Sequence, residues 1–339
     1  MTLLPSSDVT EAPTTGSHRP AVAKGEPEAG RRPPPAVRRR RTSRRTRLEI
    51  ALFVGPALIV FVGFVLVPVG LAGYYSLYKW NGIQELTNFV GLDNYRRALT
   101  DPVFLRSIGH NVFIVVASLL IQGPIAIGVA LLLNRPVRGR SFFRMLIFVP
   151  YVLSEVIAGI AWLLILQPDG PMDALLTNLG LGSFIHLWLA DPDIVLWTML
   201  GVITWKYIGF AIILFLAGLQ GIPREVVEAA QIDGATSWRV FRHITLPLLG
   251  PTIRTWIFLS IIGALQLFDL IWIMTGGGPA NASNTMATYI IERGFERSQF
   301  GYGSAVAVIL FIISLTFALF YQRLVLRRDT QGATTRAAG

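Results

Sequence analysis

The chain has 339 residues, of which 53% are hydrophobic and only 15% charged, with a formal net charge of +10 and no cysteine. A soluble domain carries about 25% charged residues, so a mean hydropathy of +0.54 points to lipid as the solvent for most of this sequence. The lack of cysteine excludes disulfides, thiolate zinc sites, iron–sulfur clusters and cysteine nucleophiles together.

The basic charge is unevenly placed. Residues 1–48 hold ten arginines and Lys24 against Asp8, Glu11, Glu26 and Glu28, so most of the +10 sits there. This stretch is rich in Pro, Ser, Thr, Gly and Arg, with runs such as Arg38-Arg39-Arg40-Arg41. It has too few large apolar residues to offset chain entropy and reads as a disordered cytoplasmic tail. A basic run just before a long apolar segment serves membrane orientation and contact with anionic lipid. Nucleic acid is therefore not expected as a partner. The apolar run starts near Ile50 and is too late and too long for a cleaved signal peptide.

A helix needs about 20 mostly apolar residues to cross the bilayer. Six stretches qualify: Ile50–Tyr75, Val112–Leu133, Met145–Leu166, Ile194–Gly218, Thr252–Met274 and Ser304–Leu324. Arginines crowd the tail, the loop 135–144, the loop 219–251 and the C-terminal end, whereas 167–193 holds four aspartates and no Lys or Arg. The positive-inside rule then puts both termini in the cytoplasm. The expected organisation is a tail over 1–48, a membrane domain over 49–328 and a short cytoplasmic tail over 329–339. The expected fold class is an all-α integral membrane protein with six transmembrane helices.

The sequence lacks the means for its own chemistry. Its three lysines, Lys24, Lys79 and Lys206, are followed by Gly, Trp and Tyr, so none completes a phosphate-binding GxxxxGK[ST] loop. Four scattered histidines show no metal-ligand spacing, and no GxSxG nucleophile elbow is present. No catalytic residue and no metal site is expected.

The loop 220–250 is the most informative segment. Pro223, Glu225 and Glu228 suit a helix start. Val226, Val227 and Ala230 make one apolar stripe, and Gly234 suits a left-handed stop. A second short helix is expected over Ser237–His243, with Pro247 marking entry into the fifth span. The pair either receives another protein surface at its small alanines or rests on lipid headgroups.

Here the sequence resembles a known family. Glu228-Ala229-Ala230, Gly234, Ile244, Leu246 and Pro247 match, without a spacing error, the EAA–x3–G–x9–IxLP signature of permease subunits of binding-protein-dependent ABC importers; Asp233 and Ala235 match common additional positions. The likeness runs over nearly everything after residue 49 and is greatest to the carbohydrate-uptake, maltose-type branch. Further matching stretches are Phe89-Val90-Gly91-Leu92-Asp93-Asn94-Tyr95, Leu216-Ala217-Gly218-Leu219-Gln220 and Thr275-Gly276-Gly277-Gly278-Pro279. The resemblance implies a type I ABC importer permease fold in a bacterial inner membrane. It implies that the EAA loop is a coupling helix docked on a separate ATPase, with Glu228 pairing a basic group there. It implies two ATPase subunits, a second permease and an extracytoplasmic solute-binding protein facing the loops near 81–110, 167–193 and 275–302. ATP and Mg would be used by the partner ATPase, with no cofactor bound by this chain.

Polar groups at membrane depth default to function. The substrate-path candidates are Trp205, Lys206, Ser260, Gln266 and Asp269, with Gln122 and Glu155 also at depth. Lys206 either meets substrate or pairs with Glu155 or Asp269. Two other readings stand beside the importer: an ion-gradient-driven secondary transporter, and the membrane domain of an ABC exporter. No convincing internal repeat favours the first, and the short loop 135–144 disfavours the second.

Overall fold

The structure, a computed structural model, describes residues 44–136 and 138–326. The tails expected over 1–48 and 329–339 therefore fall largely or wholly outside the described residues. The chain divides into two compact units, Met1–Ala57 and Leu58–Gly339. Among the described residues everything regular is helical, and the only β-type pairing is an isolated antiparallel bridge between Tyr78 and Phe89.

Among the described residues, four helices are long and apolar enough to cross a membrane: α1 (Ala51–Tyr75), and three labelled in chain order below. A short α2 (Asp93–Thr100) leads into α3 (Pro102–Asn134), the second of the four. The start of α3 is set by chemistry: Asp101 Oδ1 accepts the Val103 and Phe104 N–H groups at 2.8 and 3.4 Å, and Pro102 occupies the first turn. α4 (Arg140–Val152) and α5 (Glu155–Ile165) follow, then α6 (Pro171–Asn178) and α7 (Val195–Gln220), the third long span. Next come α8 (Arg224–Ile232), α9 (Ser237–Leu248), α10 (Gly250–Leu265), α11 (Asp269–Thr275) and α12 (Met286–Ile291). The fourth long span, α13 (Phe300–Val325), completes the described order.

Two bent pairs raise the number of possible spans to six. α4 and α5 meet at 96°, and α9 and α10 at 62°. The expectation of one continuous helix over Met145–Leu166 is thus corrected. Pro150 deprives α4 of a bond near its end, and Ser154 starts α5 afresh, its Oγ accepting from the Ile157 N–H at 3.3 Å.

The expectation of one helix over Thr252–Met274 is corrected as well. α10 stops at Leu265, and α11 begins at Asp269. The freed carbonyls find side-chain donors: Asn111 Nδ2 donates to Ala264 O at 2.6 Å, and Thr285 Oγ1 to Leu267 O at 2.8 Å. Backbone can leave the helix inside a span only when such partners exist.

The short helix expected over Ser237–His243 instead runs on to Leu248, with Pro247 inside it. Thr236 caps its start, its Oγ1 accepting from the Arg239 N–H at 3.4 Å. A π-turn over Phe241–Thr245 shifts the register just before Pro247. The missing proline donor therefore falls where the regular pattern is already interrupted.

α3 and α7 pack side by side through small residues. Ala126, Ala130 and Ala211 are fully buried between them, beside Phe215 and Leu216. Small side chains let helices approach closely where lipid supplies no hydrophobic drive. α4 crosses α7 at Gly209, where any β-carbon would strike the Ile147 carbonyl. A second cluster joins Ile114, Met199, Val202, Ile203, Leu270 and Ile271, tying α3 and α7 to α11.

Candidate functional site

Two features of the second unit invite function: a cavity among the apolar helices, and the exposed turn between α8 and α9.

The cavity holds about 270 Å³ and lies among α3, α4, α7 and α10. Its wall is mostly apolar or aromatic, from Ile114, Ile203, Phe210, Trp256 and Leu259. Ser118, Gln122, Ser260, Tyr151 and Tyr207 bring polar atoms to it. Ser118 and Gln122 are the two ends of a π-turn in α3, the kind of interruption that marks functional positions. Gly123 follows, and Trp256 fills the space a side chain there would need: a β-carbon would stand 2.7 Å from Trp256 Cη2. The Tyr151 ring stacks on Phe210 at 5.1 Å and 21°.

Among the described residues, the side chains of Ser118, Gln122 and Ser260 make no hydrogen bond to protein. Gln122 and Ser118 are nevertheless only 4% and 3% exposed. Buried amides and hydroxyls ordinarily carry partners, so these donors and acceptors are available to a polar guest.

Lys206 is not one of the lining groups. Its ammonium donates to Pro150 O at 3.0 Å, to Tyr151 O at 3.1 Å and to Leu153 O, and lies 3.6 Å from Glu155 Oε1. These are the carbonyls that end α4, so the lysine caps the broken helix. The two charges also suit the two helix ends they occupy. The cation meets the negative end of α4, and Glu155 sits in the first turn of α5. Tyr207 joins the group by donating its hydroxyl to Glu155 Oε1 at 3.0 Å.

The remaining candidates scatter around this centre. Trp205 is half-buried and meets Trp162 edge-on at 5.4 Å. Gln266 is exposed at the end of α10, and Asp269 is exposed at the start of α11. Of the five substrate-path residues read from sequence, Ser260 is the one in the cavity wall. Sequence reading passed over Ser118, Tyr151, Phe210 and Trp256. A signal for Ser118 existed in Gln122-Gly123-Pro124, because Pro124 removes a helix donor in mid-span.

The exposed turn is sharply built. Ala235 N–H bonds to Ala230 O at 2.9 Å and Gly234 N–H to Gln231 O at 3.0 Å, with Gly234 at φ +80°. That is a Schellman stop, which favours glycine at this position. Glu228, Ala229, Asp233 and Gly234 are exposed, Ala230 and Ala235 half-buried. Ile244 and Leu246 are half-buried along α9, and Pro247 is exposed. Beside the turn runs a groove of about 690 Å³ lined by Arg135, Arg140, Arg224 and Glu228, among others.

At the other end of α3, Asp101 gathers a second polar centre. Tyr289 donates its hydroxyl to Asp101 Oδ2 at 2.7 Å, and Arg293 lies 3.9 Å from the same oxygen. Burial opposes the Asp101 charge, but the Tyr289 hydroxyl, the two capping N–H groups and Arg293 together hold its carboxyl below the usual range. Tyr289 is pushed up, chiefly by burial and then by its hydrogen bonds to Tyr302 and Asp101.

Among the described residues, no cluster of His, Asp and Glu is arranged to hold a metal.

Comparison with known proteins adds to this geometry. Residues 122–330 match the family model described as binding-protein-dependent transport system inner membrane component. The chain is 35% identical over 308 residues to the diacetylchitobiose uptake system permease protein NgcF of Streptomyces coelicolor, covering 86% of this chain and 87% of that one. It is 33% identical to the sn-glycerol-3-phosphate transport system permease protein UgpA of Agrobacterium fabrum, over 83% of this chain and 96% of that one. Among solved structures, a chain of a bacterial ABC transporter involved in import of the acidic polysaccharide alginate superposes with a TM-score of 0.72. It is 25% identical, and the match covers 84% of this chain and 96% of that one.

Proposed function

The chain belongs to the family of binding-protein-dependent transport system inner membrane components, and from that premise we propose that it is one permease subunit of an ATP-driven importer of carbohydrate. In this reading six spans cross a bacterial inner membrane with both termini in the cytoplasm. The bent pairs α4–α5 and α9–α10 supply the third and fifth spans, and the arginine-rich loops face inward. The α8–α9 turn docks on a partner ATPase through Glu228, Ala229, Ala230, Asp233, Gly234 and Ala235. The opposite loops receive a solute-binding protein, and a second permease completes the cavity. ATP and Mg belong to the ATPase.

The observation that carries the proposal is a continuity of chain. The exposed turn leads through α9 and a single bend into α10, which brings Trp256, Leu259 and Ser260 to the cavity. A displacement at the turn therefore reaches the cavity wall along one covalent path. The free polar atoms of Ser118, Gln122 and Ser260, beside stacked aromatic rings, suit the hydroxyls and apolar faces of a sugar.

Purification of the full-length chain from its native membrane tests the assembly. An ATPase and a second permease should accompany it, and ATP hydrolysis should rise when the solute-binding protein and its sugar are added. A chain that purifies without an ATPase and transports under an ion gradient alone overturns the proposal.

A further inference from the structure

The wall of the cavity contains no Asp, Glu, Lys or Arg among its described residues. Cations are present on the helices that form it: Arg106 on α3, Arg140 and Arg144 on α4, Lys206 on α7 and Arg254 on α10. None of them belongs to the lining. The lysine in mid-span is held by three carbonyls and Glu155. The charge nearest along the hydrogen-bond chain is negative, since Tyr207 of the wall donates to Glu155.

We infer that this chain's share of the translocation cavity admits an uncharged, hydroxyl-rich solute and rejects one bearing a carboxylate, sulfonate or phosphate. The inference rests on the carbohydrate-path reading above and names the charge class of its cargo. Family membership leaves that class open. An anion entering this space would lose water and gain only hydroxyl and amide donors, because the cation in mid-span, Lys206, is already paired with Glu155. An unpaired charge is costly to desolvate. A neutral sugar exchanges its water bonds for those of Ser118, Gln122 and Ser260, and its apolar face meets the Tyr151–Phe210 pair.

The chain's lack of cysteine makes the test direct. Ser260→Cys puts one thiol in the cavity wall of the otherwise native transporter, and maleimide labelling of this chain is followed in membrane vesicles. Maltose, lactose and diacetylchitobiose serve as neutral probes; digalacturonate and glucose 6-phosphate serve as anionic ones at matched ionic strength. Neutral disaccharides should slow labelling at least fivefold, while the anions leave it within twofold. Equal or better protection by the anions overturns the charge inference and leaves the carbohydrate path standing. Protection by neither group overturns the carbohydrate path itself and the charge inference with it. Gln122→Lys in the same background should bring protection by the anions. Should Ser260→Cys fail to assemble, Ser118→Cys reports on the same wall.

Discussion

The Lys206 ammonium stands 3.6 Å from Glu155 Oε1 and closes the gap between two half-helices set at 96°. Replacing it by methionine keeps the bulk but strands the Pro150, Tyr151 and Leu153 carbonyls at the α4 terminus and a carboxylate. Removing one partner of a buried pair costs about 3–5 kcal/mol, and the 29% exposure of Glu155 places this case at the low end. Lys206→Met should therefore lower the unfolding free energy in detergent by about 3 kcal/mol, read as a lower midpoint. Lys206→Met with Glu155→Gln should recover part of it, since the carboxylate charge is gone but the carbonyls remain uncapped. An unchanged midpoint for the single variant would contradict the capping role.

Glu228 is exposed and makes no ion pair among the described residues. Glu228→Lys should leave stability within about 0.5 kcal/mol, as exposed substitutions do. Sugar uptake should nevertheless be lost, with the chain still inserted in the membrane. Uptake at the wild-type level would sink the assignment of this face to ATPase docking.

Gly234 holds φ +80° with open space around the position of a β-carbon. Any cost of substitution is thus conformational. Gly234→Ala should destabilise by about 1 kcal/mol, and Gly234→Asn by less, because asparagine tolerates the left-handed region. Uptake should fall in the same order. Chemical denaturation and uptake assays on the two variants check both rankings.

Gly123 and Trp256 compete for one volume. Gly123→Ala gains up to about 1 kcal/mol of helix propensity but overpacks the contact, which costs about 1–3 kcal/mol. The net effect should be destabilising, and the displaced indole should perturb the cavity. Trp256→Phe in the same chain should relieve most of the loss. Failure of the pair to differ from the sum of its single variants would show that the two positions are not coupled.

Asp101 has its folded pKa below the unfolded value, so its contribution is full above the unfolded pKa and fades as pH falls through the folded one. The loss should therefore begin near pH 4 and deepen below it. Asp101→Asn retains a capping oxygen for Val103 and Phe104. That variant should be less stable at neutral pH, with the difference from wild type shrinking in acid. Thermal midpoints of both proteins across pH 3–7 measure it; a constant difference would refute the assignment.

Much of the architecture was legible in the residues. Hydropathy located every long span, because about 20 apolar residues in a row have few other uses. The Schellman turn was legible in Gly234, since φ above zero leaves a sequence trace. The breaks at Ser154 and Gln266 were less so, because their partners are distant in sequence: Lys206 serves the first, Asn111 and Thr285 the second. Lys206 itself stood out as an anomaly, and the sequence offered Glu155 as one partner, but backbone carbonyls carry no side-chain signature. The cavity wall was read least well. Trp256 and Phe210 are ordinary apolar residues of a membrane helix until the neighbouring helix is in place.

On the proposed coupling, the bend at Leu249 serves as the pivot between the α8–α9 turn and the cavity wall. Leu249 is fully buried where α9 turns through 62° into α10. An arm of 16 residues beyond the pivot measures about 24 Å, and Ser260 rides two-thirds of the way along it. On the proposed reading, a swing of α9 by a few degrees about this bend would move Ser260, about 16 Å from it, by roughly as much as it moves the α8–α9 turn, about 18 Å away.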